Sequence, residues 1–167
     1  MTFAMETLTR QHQDVLARMD VLEGELNGGQ AADLEGFARY LQAEVVQHFA
    51  IEEHALFPVL ARHLSSDHGP LAVMHAEHAD FRDLLGRIAD ALRVADVDQQ
   101  RVCAQQLIEL LRAHIAKEDR VLFPMAARLL SRAEQDEVDA RAHISVHDRR
   151  DSVDRCGEMS ERKEVLG

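Results

Sequence analysis

The stretch HFAIEEHALFP, residues 48–58, returns as HIAKEDRVLFP at residues 114–124, an offset of 66 residues. Each copy opens on a His followed four residues later by a Glu, His48 with Glu52 and His114 with Glu118, and each closes on Leu-Phe-Pro. The same offset carries His12, in TRQHQDVL, onto His78, in MHAEHADF. A chance repeat of one short motif would not bring a second, separated His with it. Two related helix pairs, one presenting His12 and His48 and the other His78 and His114, account for the pattern.

Residues four apart on a helix share a face, so each His/Glu pair turns a nitrogen and a carboxylate toward a common axis. Four packed helices then bring four imidazoles and two carboxylates to one place, which is enough for two metal ions. A lone His in an amphipathic helix is ordinarily a surface or hydrogen-bonded core residue, and one His-x-x-x-Glu pair is ordinarily a surface ion pair. The joint pattern argues otherwise. Six unpaired polar side chains in a bundle core are heavily penalised, whereas bound metal satisfies them together.

Imidazole nitrogen and carboxylate oxygen suit iron, manganese or zinc, and no cysteine near the motifs offers a thiolate. Glu52 and Glu118 each offer two oxygens and are the candidates to bridge two ions. Glu53 and Asp119, one position on and about 100° around the helix, are expected as outer acceptors or surface residues. His54, His63 and His68 have no counterpart in the repeat and are expected to face solvent.

His75 breaks the symmetry. It lies three residues before His78, and its counterpart at the repeat offset is Thr9. As a ligand it gives one ion three imidazoles, from His75, His78 and His114, and leaves the other with His12 and His48. The second ion is then the open one, able to accept water or a small external ligand.

Helical periodicity of apolar residues predicts helices over about residues 5–26, 33–60, 71–92 and 99–130, with Pro58 and Pro124 disturbing the second and fourth. Short links between long amphipathic helices favour antiparallel neighbours. The expected fold is all-α: an up-down-up-down four-helix bundle over residues 1–130. Residues 131–167 add a short helix near 132–142 and a charged, mobile tail. His143 and His147 lie four apart there without a matching pair, and the sequence leaves their role open.

The 167 residues suit one domain with a sizeable core, and 46% of them are hydrophobic. Against 30 Asp and Glu stand 19 Lys and Arg, a formal charge of -11 that disfavours nucleic acid and anionic membranes as partners. Cys103 and Cys156 are isolated and fit no CxxC pattern, as in a reduced protein with free thiols. No apolar run is long enough for a membrane span, and Glu6 interrupts the start where a secretory segment stays apolar. A cytoplasmic monomer or homodimer is the expectation.

These residues resemble those of the hemerythrin-like, or HHE cation-binding, family. Its helices contribute in turn an isolated His, a His-x-x-x-Glu motif with a following Leu-Phe-Pro, a Glu-His motif, and a second His-x-x-x-Glu/Asp motif. Here those are His12, His48/Glu52, Glu77-His78 and His114/Glu118, and the likeness covers about residues 5–130. What the resemblance implies is a four-helix fold around two non-haem iron ions bridged by Glu52, Glu118 and an oxo or hydroxo species. Oxygen-carrying hemerythrins have two His four apart in the third helix and a longer His-to-Asp spacing in the fourth, so this chain looks like a small bacterial hemerythrin-like protein. Members that repair iron centres carry a further amino-terminal cysteine-containing domain, absent from these 167 residues.

The resemblance and the uneven His count together lead to a function. The expectation is a diiron protein that reacts with peroxide, O2 or nitric oxide, with catalase-like peroxide disproportionation as the enzymatic form. Reversible O2 binding or gas sensing, and iron storage or delivery, are the non-enzymatic alternatives.

Overall fold

The computed structural model describes residues 2–28 and 32–143, and every element among them is helical. Helix α1 spans Phe3–Gly28, α2 residues 34–60, α3 Pro70–Arg93, α4 residues 97–129, and α5 residues 132–143. The helix starts are legible chemically. Asp33 caps α2 by accepting from the Gly36 N–H at 2.8 Å, and Asp96 caps α4 by accepting from the Gln99 N–H at 3.0 Å. Gly69, at φ 80°, supplies the left-handed residue from which Pro70 opens α3.

Two apolar cores stack along the bundle. One is built on Met19, Leu41, Phe49, Phe81, Cys103 and Leu107, the other on Met5, Leu56, Leu60, Met74, Phe123 and Val138. Between them lies a polar layer. Apart from Thr2, the buried polar or charged side chains among the described residues are His12, His48, Glu52, His78, His114 and Glu118.

Neither proline breaks its helix. The backbone instead widens by one residue just before each, into π turns at Glu52–Leu56 and Glu118–Leu122, closed by Phe57 N–H to Glu52 C=O and Phe123 N–H to Glu118 C=O. Pro58 and Pro124 cannot donate to a carbonyl four residues back, and the wider turn absorbs that loss. The expected disturbance is therefore a local unwinding that starts at each glutamate. A third π turn, Leu41–Val45, has no proline near it.

Helix α5 closes the lower core with Val138 and Ala142. Its Asp139 accepts from the Phe3 and Ala4 N–H groups at 3.1 and 2.8 Å, so it caps α1 from across the chain. The expected mobile tail, with His147 and Cys156, lies outside the described residues. Cys103 is buried as a free thiol.

Candidate metal centre

Each element delivers its part of the polar layer from a helix interior. His12 comes from α1, His48 and Glu52 from α2, His78 from α3, and His114 and Glu118 from α4. Two quartets form, His12/His48/Glu52/Glu118 and His78/His114/Glu52/Glu118, and within each the donor atoms lie within 4.8 Å of one another. The glutamates belong to both.

Their oxygens divide accordingly. Glu52 turns Oε1 to His48 Nε2 and Oε2 to His78 Nε2, both at 3.3 Å. Glu118 turns Oε2 to His12 Nε2 at 3.0 Å and Oε1 to His114 Nε2 at 3.4 Å. Each carboxylate thus faces one imidazole of each repeat, the arrangement a bridging ligand needs.

The outer nitrogens explain why the inner ones are free to bind. His12 Nδ1 meets Asp119 Oδ1 at 2.9 Å, His78 Nδ1 meets Glu53 Oε1 at 2.7 Å, and His114 Nδ1 meets Glu77 Oε2 at 3.0 Å. His48 Nδ1 lies 3.0 Å from Gln11 Oε1. An acceptor at Nδ1 assigns the proton to that nitrogen and turns the Nε2 lone pair inward. Four imidazole nitrogens and four carboxylate oxygens then converge, with His12 Nε2 and His48 Nε2 3.1 Å apart. Both oxygens of Glu52 and of Glu118, with Nε2 of His78 and of His114, are buried without a hydrogen-bond partner. Such a group of acceptors is unfavourable alone and fits cations.

Burial pushes the Glu52 carboxyl well above the ordinary range, and the charge of Glu118 adds to this while His78 opposes it. Burial acts the same way on Glu118, but its contacts with His12 and His48 and the charges of His114 and His48 outweigh it and hold that carboxyl well below the range.

The repeated Leu-Phe-Pro motif finds its reason here. Phe57 stacks on His78 at 5.6 Å, and its counterpart Phe123 stacks on His12 at 5.6 Å, so each repeat supplies the aromatic wall for the other repeat's His. Phe49 packs still closer on His78, at 3.7 Å.

The structure brings six of the seven expected site residues together and leaves out His75. That side chain is exposed and lies in neither quartet. Phe57 accounts for this: its edge meets the His75 ring at 5.2 Å while its face covers His78. A spacing of three keeps two helical residues near one face but not at one point, and Phe57 fills the gap between them. The three-to-two imidazole count is replaced by two and two. His54, His63 and His68 are exposed, as expected.

Glu53 and Asp119, expected as outer acceptors or surface residues, are both acceptors, and Gln11 and Glu77 are two further acceptors. The repeat could have found them, because Gln11 and Glu77 stand 66 apart, as do Glu53 and Asp119.

A bundle with a buried layer of four His and two shared Glu defines a cation-binding helical domain. The chain belongs to the family described as the Hemerythrin HHE cation binding domain, whose profile matches residues 4–126. It is 34% identical over 105 residues to "Iron-sulfur cluster repair protein YtfE" of Enterobacter sp., covering 54% of this chain and 47% of that one. Proteins of the same name from Citrobacter koseri and Escherichia coli O1:K1 are 31% and 30% identical, each over 55% of this chain and 47% of theirs. The chain thus spans about half the length of these curated relatives. No solved structure matches it. Among the described residues no helix is long and apolar enough to cross a membrane.

Proposed function

We propose that the protein holds two non-haem iron ions between the four histidines and the two glutamates, and that this centre takes up a small uncharged ligand: nitric oxide, O2 or hydrogen peroxide. The observation that carries the reading is the convergence of four imidazole nitrogens on four carboxylate oxygens, six of these eight atoms being buried without a hydrogen-bond partner. His12 and His48 hold one ion, His78 and His114 the other, and Glu52 and Glu118 span both. When bound, iron would supply one-electron redox change and a coordination position open to exchange.

The chain's own residues select the ligand. A cavity of about 10 Å³ touches His12, His48 and His114 and is otherwise walled by Val15, Val45, Phe49, Leu111 and Ile115. That is room for one water-sized molecule, and its apolar wall favours an uncharged one over an ion. Asp119, partly exposed, accepts from His12 Nδ1 at 2.9 Å and so keeps the Nε2 lone pair of that ring directed at the centre.

A second reading, delivery of iron to damaged iron–sulfur centres, is favoured by the likeness to the iron-sulfur cluster repair proteins. Both readings are tested on the anaerobic, ferrous-loaded chain. Absorption is followed during separate additions of nitric oxide, O2 and peroxide, and loss of iron is measured against a cluster-free acceptor protein. The first reading expects a spectral change with at least one of the three, with gas evolved if peroxide is disproportionated. Silence to all three with iron passing to the acceptor favours delivery, and silence with iron retained contradicts both.

A further inference from the structure

The two halves of the site match under the 66-residue offset except at one outer partner. Asp119, at His12, corresponds to Glu53, at His78, a carboxylate for a carboxylate. Gln11, at His48, corresponds to Glu77, at His114, an amide where the other half has a carboxylate. We propose that this difference makes the His12/His48 position the exchangeable one, from which an ion enters and leaves, while the His78/His114 position retains its ion. The inference rests on the diiron reading above.

A carboxylate can only accept. Glu77 therefore keeps the proton on His114 Nδ1 and the Nε2 lone pair turned inward at all times. A primary amide carries an acceptor on one side and a donor on the other. When the Gln11 amide turns by half a rotation, its NH2 faces His48 Nδ1, and the matching tautomer carries its proton on Nε2. In that form His48 cannot bind a cation. A hydrogen bond to a neutral acceptor is also the weaker kind, so His48 is held less firmly even in its binding form.

The surroundings point the same way. Lys117 pairs with Glu77, and Arg82 grips both oxygens of Glu53 at 2.8 and 3.0 Å, so both outer carboxylates of the second half are themselves held. His48, at 5%, is the most exposed of the six site residues. It forms part of the wall of a surface cavity of about 460 Å³, with Gln11, Asp14, Arg18, Tyr40 and Glu44. Two carboxylates against one guanidinium give that cavity a net attraction for cations. At the matching positions of the second half, Leu84 replaces Arg18 and Leu110 replaces Glu44, and both leucines pack on the apolar core. Among the described residues, the charged pair that lines this opening thus belongs to the first half.

The test uses the full chain loaded anaerobically with iron(II), freed of excess and mixed with a coloured ferrous chelator. The expected result is two equivalents released in two equal phases whose rates differ by about tenfold or more, in line with the usual effect of an outer partner on metal affinity. Gln11→Glu should slow the fast phase by about tenfold, and Glu77→Gln should speed the slow phase by a similar factor. A merely structural disturbance would speed release in both variants, so the opposite directions are diagnostic. Two irons released in a single phase, or a fast phase that Gln11→Glu leaves unchanged or accelerates, overturn the proposal and leave the diiron reading standing. A chain that takes up fewer than two irons overturns both.

Discussion

The site is set by which atom of each histidine is occupied from outside. Asp119, Gln11, Glu53 and Glu77 take the Nδ1 side, and the Nε2 side is left for the centre. His114 has a fully buried ring with Glu77 behind it, while His143, the histidine at the far end of the described chain, is exposed and stacks on Phe3 at 5.6 Å. His114→Ala should lower bound iron below two per chain, whereas His143→Ala should leave it at two, as read by metal analysis of the purified variants. Equal iron in both would remove His114 from the site. Most of this scale was legible in sequence because the repeat marks His12, His48, His78 and His114 without help from packing. His75 was not, since its exclusion depends on where Phe57 lies, which is a contact between two helices rather than a spacing within one. Gln11 and Glu77 act on histidines 37 residues away in the chain, so only their shared offset, and no local motif, points to them.

At the scale of the element, helix ends followed their caps, and the interiors held the surprises. Asp33 and Gly69 mark their helix starts as their chemistry demands, whereas the disturbance expected at Pro58 and Pro124 takes the form of π turns, which proline alone does not specify. Proline chemistry dictates a lost hydrogen bond, and tertiary packing of Phe57 and Phe123 on the histidines of the other repeat decides how the helix accommodates it. The cap that Asp139 gives α1 is a contact over more than a hundred residues and has no sequence signature. Asp139→Ala should cost about 1 kcal/mol, measured by urea unfolding of the iron-loaded chain.

Helix α5 opens with a reciprocal cap. Glu134 Oε2 accepts from the Ser131 N–H at 2.9 Å and from its hydroxyl at 2.7 Å, and Oε1 lies 2.8 Å from His63. The Ser131 hydroxyl, then His63, lower the Glu134 carboxyl from 4.5 to about 2. A carboxyl depressed on folding contributes stability above its unfolded value, and loses it as pH falls toward its folded one. The stability gap between the wild type and Glu134→Gln should therefore be complete at pH 6 and close between about pH 4.5 and 2. A gap that stays constant over that range would show that the carboxylate charge is not what α5 uses.

For the whole molecule, the consequence of a polar layer between two apolar cores is that folding and cation binding are linked. Without a cation, two carboxylates and four imidazoles are buried with their lone pairs converging, a cost of several kcal/mol. Stripping iron should lower Tm by about 10 °C or more, with recovery on adding it back. The all-α bundle was legible at this scale because helical periodicity and short links leave few other arrangements. The division of the core into two blocks follows from the histidine positions once the helices are aligned. The central claim is that this layer holds two irons side by side between shared glutamates. Iron K-edge X-ray absorption on the anaerobically loaded chain, with iron counted on the same sample, tests it most directly. Two irons per chain, imidazole-rich scattering and a near iron neighbour are the predicted result; one iron per chain, or iron without a neighbouring iron, would contradict it.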